Sequence, residues 1–174
     1  MILVLMGVSG VGKTVIGGLL SARTGWKFED ADEYHSEESR QRMAAGIPLT
    51  DADRGPWLIV LHERMMHYCK NGENVILACS ALKRQYRELL AGGFAKGEMR
   101  FVYLHAPSAL IKERMKSRHH PYMNPDLLES QLATLEAPSE AWPISVAGGP
   151  EEAVEEILTR LREAGLLTPG APEP

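Results

Sequence analysis

Gly7-Val8-Ser9-Gly10-Val11-Gly12-Lys13-Thr14 carries the most explicit chemistry in the chain. It fits G-x-x-x-x-G-K-[ST], a loop whose glycines let successive backbone N–H groups turn inward on phosphate oxygens. In such a loop Gly7, Val8, Ser9, Gly10, Val11 and Gly12 form the cradle, and Lys13 reaches the β- and γ-phosphates. Thr14 can place its hydroxyl on Mg²⁺. The alternative is a flexible glycine turn that binds nothing, and the flanks argue against it. Ile2-Leu3-Val4-Leu5-Met6 is a short apolar run of the kind that forms a buried parallel strand. Val15 to Arg23 reads as a helix with Ile16, Leu19 and Leu20 on its apolar face. Strand, glycine loop and helix together aim a helix N-terminus at an anion.

Four other clusters have residue types that suit phosphoryl transfer. Asp30 and Asp32 are two apart, so in an extended segment they point the same way. One carboxylate there can take the proton of an attacking hydroxyl or hold Mg²⁺. The bland reading is that Asp32 caps the helix that follows. His35 can bond a substrate hydroxyl or simply stabilise the loop. Arg54 can clamp a carboxylate with its two-pronged guanidinium, or it can form a surface ion pair with Asp51 or Asp53. Ser80 can orient a metal-bound water, and Lys83 can reach substrate or phosphate or be a solvated helix residue. No Asp follows the strand before Ser80, so the metal-side carboxylate falls to Asp30 or Asp32. Arg114-Met115-Lys116-Ser117-Arg118-His119-His120-Pro121 is a basic patch before a proline-broken loop. A mobile lid there, over about 118–126, would bring Arg118 to the transferring phosphoryl group, with Arg114 as a further nucleotide contact. The alternative is a helix end whose positive charge complements the dipole.

The elements that must position these groups alternate. Apolar strand signals occur at 26–29, 74–79, 99–104 and 143–147, after the first at 2–6. Helical patterns lie between them, near 36–45, 54–70, 82–90, 108–117, 125–135 and 150–164. Alternation of this kind predicts an α/β fold: a five-stranded parallel sheet between two helical layers. Ligands then bind beyond the carboxyl ends of the strands, where the phosphate loop, Asp30–His35 and Ser80–Lys83 fall. The 174 residues predict one domain over 1–165, with a Pro-rich disordered tail at 166–174. The net charge of −4 provides no basic field for nucleic acid. No apolar run reaches the length of a membrane span. The first apolar run is broken by Gly7 and has no basic flank, so it does not read as a signal peptide. Cys69 and Cys79 form neither a metal-ligand spacing nor a disulfide framework, which predicts reduced thiols in a cytoplasmic protein. A guanine-reading Asn-Lys-x-Asp is absent, which excludes a GTPase of that type.

These residues resemble the gluconokinases, small shikimate-kinase-like phosphate-loop kinases. The pieces are the Gly7–Thr14 loop, Asp30-x-Asp32-x-x-His35, and Met43-x-x-Gly46-x-Pro48-Leu49-x-Asp51-x-Asp53-Arg54-x-Pro56-Trp57-Leu58. Two more are Cys79-Ser80-Ala81-Leu82-Lys83-x-x-Tyr86-Arg87 and Leu127-Leu128-x-Ser130-Gln131-x-x-x-Leu135-Glu136-x-Pro138. The resemblance implies the phosphate-loop kinase fold, with ATP and Mg²⁺ phosphorylating the terminal hydroxyl of D-gluconate, and often a homodimer. It implies that Arg54, Lys83 or Arg87 takes the substrate carboxylate. His35 and Ser80 then take hydroxyls, and Asp32 faces the attacking oxygen. The chain departs from the family pattern at Ser36, where Pro is usual, at Ser39, where Asn is usual, and at Pro121 after His120.

Overall fold

In the computed structural model, which describes residues 1–116 and 126–167, five parallel strands form one sheet in the order β2-β3-β1-β4-β5. The strands are β1 (Ile2–Met6), β2 (Lys27–Asp30), β3 (Val75–Ala78), β4 (Met99–His105) and β5 (Trp142–Ser145). The helices are α1 (Lys13–Thr24), α2 (Glu37–Ala44), α3 (Asp51–Lys70), α4 (Arg84–Ala91), α5 (Ser108–Lys116), α6 (Asp126–Thr134) and α7 (Pro150–Glu163). A 3₁₀ turn, Ala31–Tyr34, follows β2.

The central strand explains the layering. All five β1 residues are fully buried, because both faces of the sheet are covered. Successive side chains alternate faces. Leu3 and Leu5 join one cluster with Leu20, Val154, Ile157 and Leu161 of α1 and α7. Ile2, Val4 and Met6 join the other with Leu61, Met65 and Leu90 of α3 and α4. Each helix layer therefore has its own core, and β1 contributes to both. At the β2 edge, Glu29 accepts hydrogen bonds from Arg64, Tyr34 and Tyr68, tying that strand to α3.

Boundaries differ from the sequence pattern where a cap or an edge intervenes. α3 begins at Asp51 rather than Arg54, because Thr50 and Asp53 cap its first turn reciprocally. α4 begins at Arg84 rather than Leu82, since the backbone of Lys83 is extended, with φ −94° and ψ 151°, and the helix can start only after it. Pro143 sits inside β5 rather than at its start, which an edge strand tolerates. Leu166 and Leu167 pack against the α1/α7 core, so packed chain runs two residues past 165. Residues 168–174 and the loop assigned to a lid, including Arg118, lie outside the described residues.

Candidate active site

The phosphate loop joins β1 to α1 at the carboxyl edge of the sheet. Gly7 has a φ of 136°, and a Cβ there would lie 2.5 Å from the Leu104 carbonyl oxygen, so glycine is required twice over. The Gly7 N–H donates to the Ser80 carbonyl at 3.2 Å, which sets the segment after β3 beside the loop. Lys13 folds back over the loop, with Nζ 3.0 Å from both the Gly7 and Val8 carbonyl oxygens. Burial lowers its pKa, opposed by the nearby carboxylates of Asp32 and Asp30.

Thr14 Oγ1 donates to Asp30 Oδ2 at 2.8 Å. A hydroxyl and a carboxylate side by side are hard oxygen donors, a set that suits Mg²⁺ with phosphate and water completing the shell. Among the described residues no group of three or more His, Cys, Asp or Glu forms a metal cluster. A shared Mg²⁺·nucleotide needs no such cluster, since it binds through one or two protein groups plus phosphates.

Asp30 and Asp32 do not lie in one extended segment. The chain turns into the 3₁₀ element after Asp30, whose Oδ1 accepts the Asp32 N–H at 3.1 Å. The capping task expected of Asp32 thus falls to Asp30. The cap of α2 is Ser36, which accepts the Ser39 N–H, and the two serine hydroxyls are 3.0 Å apart. The departures at 36 and 39 therefore bond to each other. Asp32 is exposed, with its side chain three-quarters open to solvent at 74%.

His35 lies behind Asp32. It is buried and stacks on Trp57 with ring centroids 4.3 Å apart and planes within 13°. Its Nε2 is 3.9 Å from Asp32 Oδ1, and its Nδ1 is buried with no hydrogen-bond partner among the described residues. Burial, followed by the charges of Arg54 and Arg40, pushes its pKa down to about 4, so the imidazole is neutral near pH 7.

The three cations named for a carboxylate have different surroundings. Lys83 ends the loop after β3, just before α4, and its Nζ is 2.7 and 2.8 Å from the two oxygens of Asp51. Arg87 is buried, donating to the Ala81 and Leu82 carbonyls at 3.2 Å and to Glu140 at 3.2 Å. Arg54 bonds neither Asp51 nor Asp53. Its Nη1 donates to the Tyr86 hydroxyl at 3.3 Å, and Tyr86 in turn donates to Asp51. Lys83, then Tyr86, hold the Asp51 carboxyl down at about 2. Asp53 is occupied as the α3 cap and by Arg42 at 3.4 Å.

Arg114, on α5, donates to the Val146 carbonyl at 2.8 Å and more weakly to Ala147 at 3.4 Å, holding the segment after β5. Cys79 is buried beside Lys13 and Asp32, and burial pushes its thiol up to about 12, which leaves it unreactive. Tyr86, Gln131 and Glu136 lie in the quoted motifs and had no task assigned from sequence. Gln131 contacts Ser9, and Glu136 accepts the Arg84 N–H at 2.6 Å, capping α4. No local pattern signals these contacts, because the partners are 122 and 52 residues away.

Residues 2–140 match the family model described as an AAA domain. A probable gluconokinase of Mus musculus is 44% identical over 153 residues, covering 79% of this chain and 83% of that protein. A gluconokinase of Gluconobacter oxydans (strain 621H) is 41% identical over 159 residues, covering 90% and 88%. The crystal structure of a gluconokinase from Sinorhizobium meliloti 1021 superposes with a TM-score of 0.82 at 39% identity, covering 93% of this chain and 91% of that one.

Proposed function

The chain belongs to the gluconokinase family, and on that premise we propose that it transfers the γ-phosphoryl group of ATP to the terminal hydroxyl of D-gluconate. The observation that carries this reading is a continuous line of neighbours. It runs from Lys13 past Asp32 and His35 to Arg54. A phosphate site stands at one end, and at the other a cation that forms no salt bridge among the described residues, although the Asp53 carboxylate feels its charge.

The acceptor is a carboxylate polyol, and each end of it finds a complementary group. Arg54 takes the carboxylate: its guanidinium donates to the Tyr86 phenol and lies over that ring, with its Cζ 5.7 Å from the ring centre, and it bonds neither Asp51 nor Asp53. Lys83 and Arg87 support the walls, because Asp51 and the Ala81 and Leu82 carbonyls already occupy them. Ser80, whose carbonyl accepts the Gly7 N–H beside the phosphate loop, is assigned a substrate hydroxyl. His35 backs Asp32 as a neutral imidazole, and its unpartnered Nδ1 suits a hydroxyl proton.

In the transfer, the terminal hydroxyl oxygen forms a bond to the γ-phosphorus as the bond to the β-bridging oxygen breaks. Asp32 accepts the hydroxyl proton, and ADP leaves with the bridging oxygen. Lys13 moves from the Gly7 and Val8 carbonyls to the phosphates and offsets the charge that develops there. Thr14 and Asp30 would hold Mg²⁺, which neutralises phosphate charge when bound. Arg114, through its grip on the segment after β5, supports the nucleotide side, and Arg118 completes it.

The test is ATP consumption with Mg²⁺ against gluconate, shikimate, glucose and nucleoside monophosphates. Turnover confined to gluconate is expected. Turnover on shikimate instead would keep the kinase and replace the substrate.

A further inference from the structure

Gln131 sits in the Leu127–Pro138 stretch, which the transfer step leaves without a task. Its amide grips one residue of the phosphate loop at two points. Oε1 accepts the Ser9 N–H at 2.7 Å, and Nε2 donates to Ser9 Oγ at 2.9 Å. The backbone N–H must face an acceptor, so this pairing dictates which way the amide points. Both residues are partly buried, which makes the contact costly to break.

The consequence lies in the donor inventory. The Ser9 N–H is occupied by α6 and is withdrawn from the anion cradle. The Ser9 hydroxyl oxygen accepts a hydrogen bond from Nε2, so its own O–H is left to donate to another acceptor. A phosphate oxygen on the loop is such an acceptor, and a hydrogen bond to a charged oxygen is among the stronger kinds. The neighbouring position is held as well. A Cβ on Gly10 would meet Met115 Cγ at 2.6 Å, so α5 packs directly on the loop. α5 and α6 are themselves joined by the Lys112–Glu129 ion pair.

We infer that Gln131 is a positioning residue for the nucleotide, holding Ser9 so that its hydroxyl, rather than its N–H, is offered to the triphosphate. This rests on the reading of Gly7–Thr14 as an ATP site.

The test is calorimetric titration of the full chain with ATP and Mg²⁺, without acceptor, for wild type, Q131M, Q131E and S9A. Loss of one neutral-to-charged contact in Q131M or S9A is expected to weaken ATP about three- to tenfold. Q131E keeps the shape but captures the hydroxyl proton and adds a negative charge near the phosphates. It is expected to weaken ATP about thirtyfold or more. The Q131M/S9A double variant is expected to lose no more than the worse single variant, because both remove the same contact. KM for the acceptor stays within about twofold of wild type, since the change is on the nucleotide side. If Q131E does not fold, Q131M and S9A carry the test. Unchanged ATP affinity in the variants beside a wild type that binds, even with a lowered Tm, would overturn the assignment alone and reduce Gln131 to a brace. A wild type that fails to bind ATP would overturn the reading of the loop, and the assignment with it.

Discussion

The two sides of the cleft are built in different ways. The phosphate side is one continuous stretch, Gly7–Thr14, whose function lies in backbone conformation, with positive φ at Gly7, Gly10 and Gly12. The acceptor side, on the reading proposed above, draws Asp32 and His35 from the segment after β2, Arg54 from α3, and Ser80 from the segment after β3, with Lys83 in its wall. Its function lies in which side chains are left with charge to offer after their neighbours have taken theirs. The backbone turns of the cradle come from its own glycines, although Gln131 and Met115 pack on it from α6 and α5. A side-chain pocket depends on how α3 packs against α4.

Variants can break or sharpen that contrast. The largest effect is expected from Lys13→Ala, which removes the charge facing the transferring group. Turnover should fall by about a thousandfold or more in the coupled assay. Near-normal turnover would mean that the cradle acts without its lysine. Next is Asp32→Asn: the single-turnover rate should drop by about a hundredfold or more while ATP affinity changes little. An unchanged rate would leave Asp32 with no part in proton transfer.

Arg54→Ala should raise KM for gluconate by about ten- to a hundredfold with KM for ATP unchanged, because a charge-assisted contact is lost on one side only. Should Lys83→Ala instead produce the larger rise, the pairing of Lys83 with Asp51 does not decide which cation is available. Tyr86→Phe, which keeps the ring under Arg54 but removes its hydroxyl partner, should raise the same KM by about threefold.

A pH experiment examines His35. Its pKa of about 4 in the fold lies below the ordinary 6.5, so between those values the unfolded chain binds a proton that the folded chain refuses. The stability this contributes is fully present above about pH 6.5 and is lost as pH falls toward 4. In His35→Gln the fall in denaturation midpoint across that window should be shallower than in wild type. Equal slopes would assign the acid loss to other groups. The smallest effect is expected from Ser36→Ala, which removes the α2 cap. It should cost about 1 kcal/mol of stability by denaturant titration and leave gluconate turnover unchanged.

Several features were legible in advance because their causes are local. The β1–loop–α1 unit follows from an apolar run, glycines and a helical stripe in unbroken order. The alternation of strands and helices leads to a parallel sheet, and each of the five observed strands overlaps an expected one. At α3 and α4 the boundary moved because of a cap: the Thr50–Asp53 box at α3 and the extended Lys83 before α4. Asp30 and Asp32 do not share one extended segment for a similar reason, since a carboxylate that can accept a backbone N–H two residues on favours a 3₁₀ turn.

Sequence by itself determined the phosphate loop, the α/β layering and the set of charged residues at the carboxyl ends of the strands. Backbone preference and apolar periodicity act over a few residues, and those groups lie close together along the chain. Tertiary structure alone decided the allocation among them. It gave Asp51 to Lys83, backbone carbonyls to Arg87, a phenol to Arg54, a buried stack on Trp57 to His35, and Ser9 to Gln131. Each of those choices is a competition between partners tens of residues apart, and it is settled only when the helices pack on the sheet and bring donor and acceptor within hydrogen-bond reach.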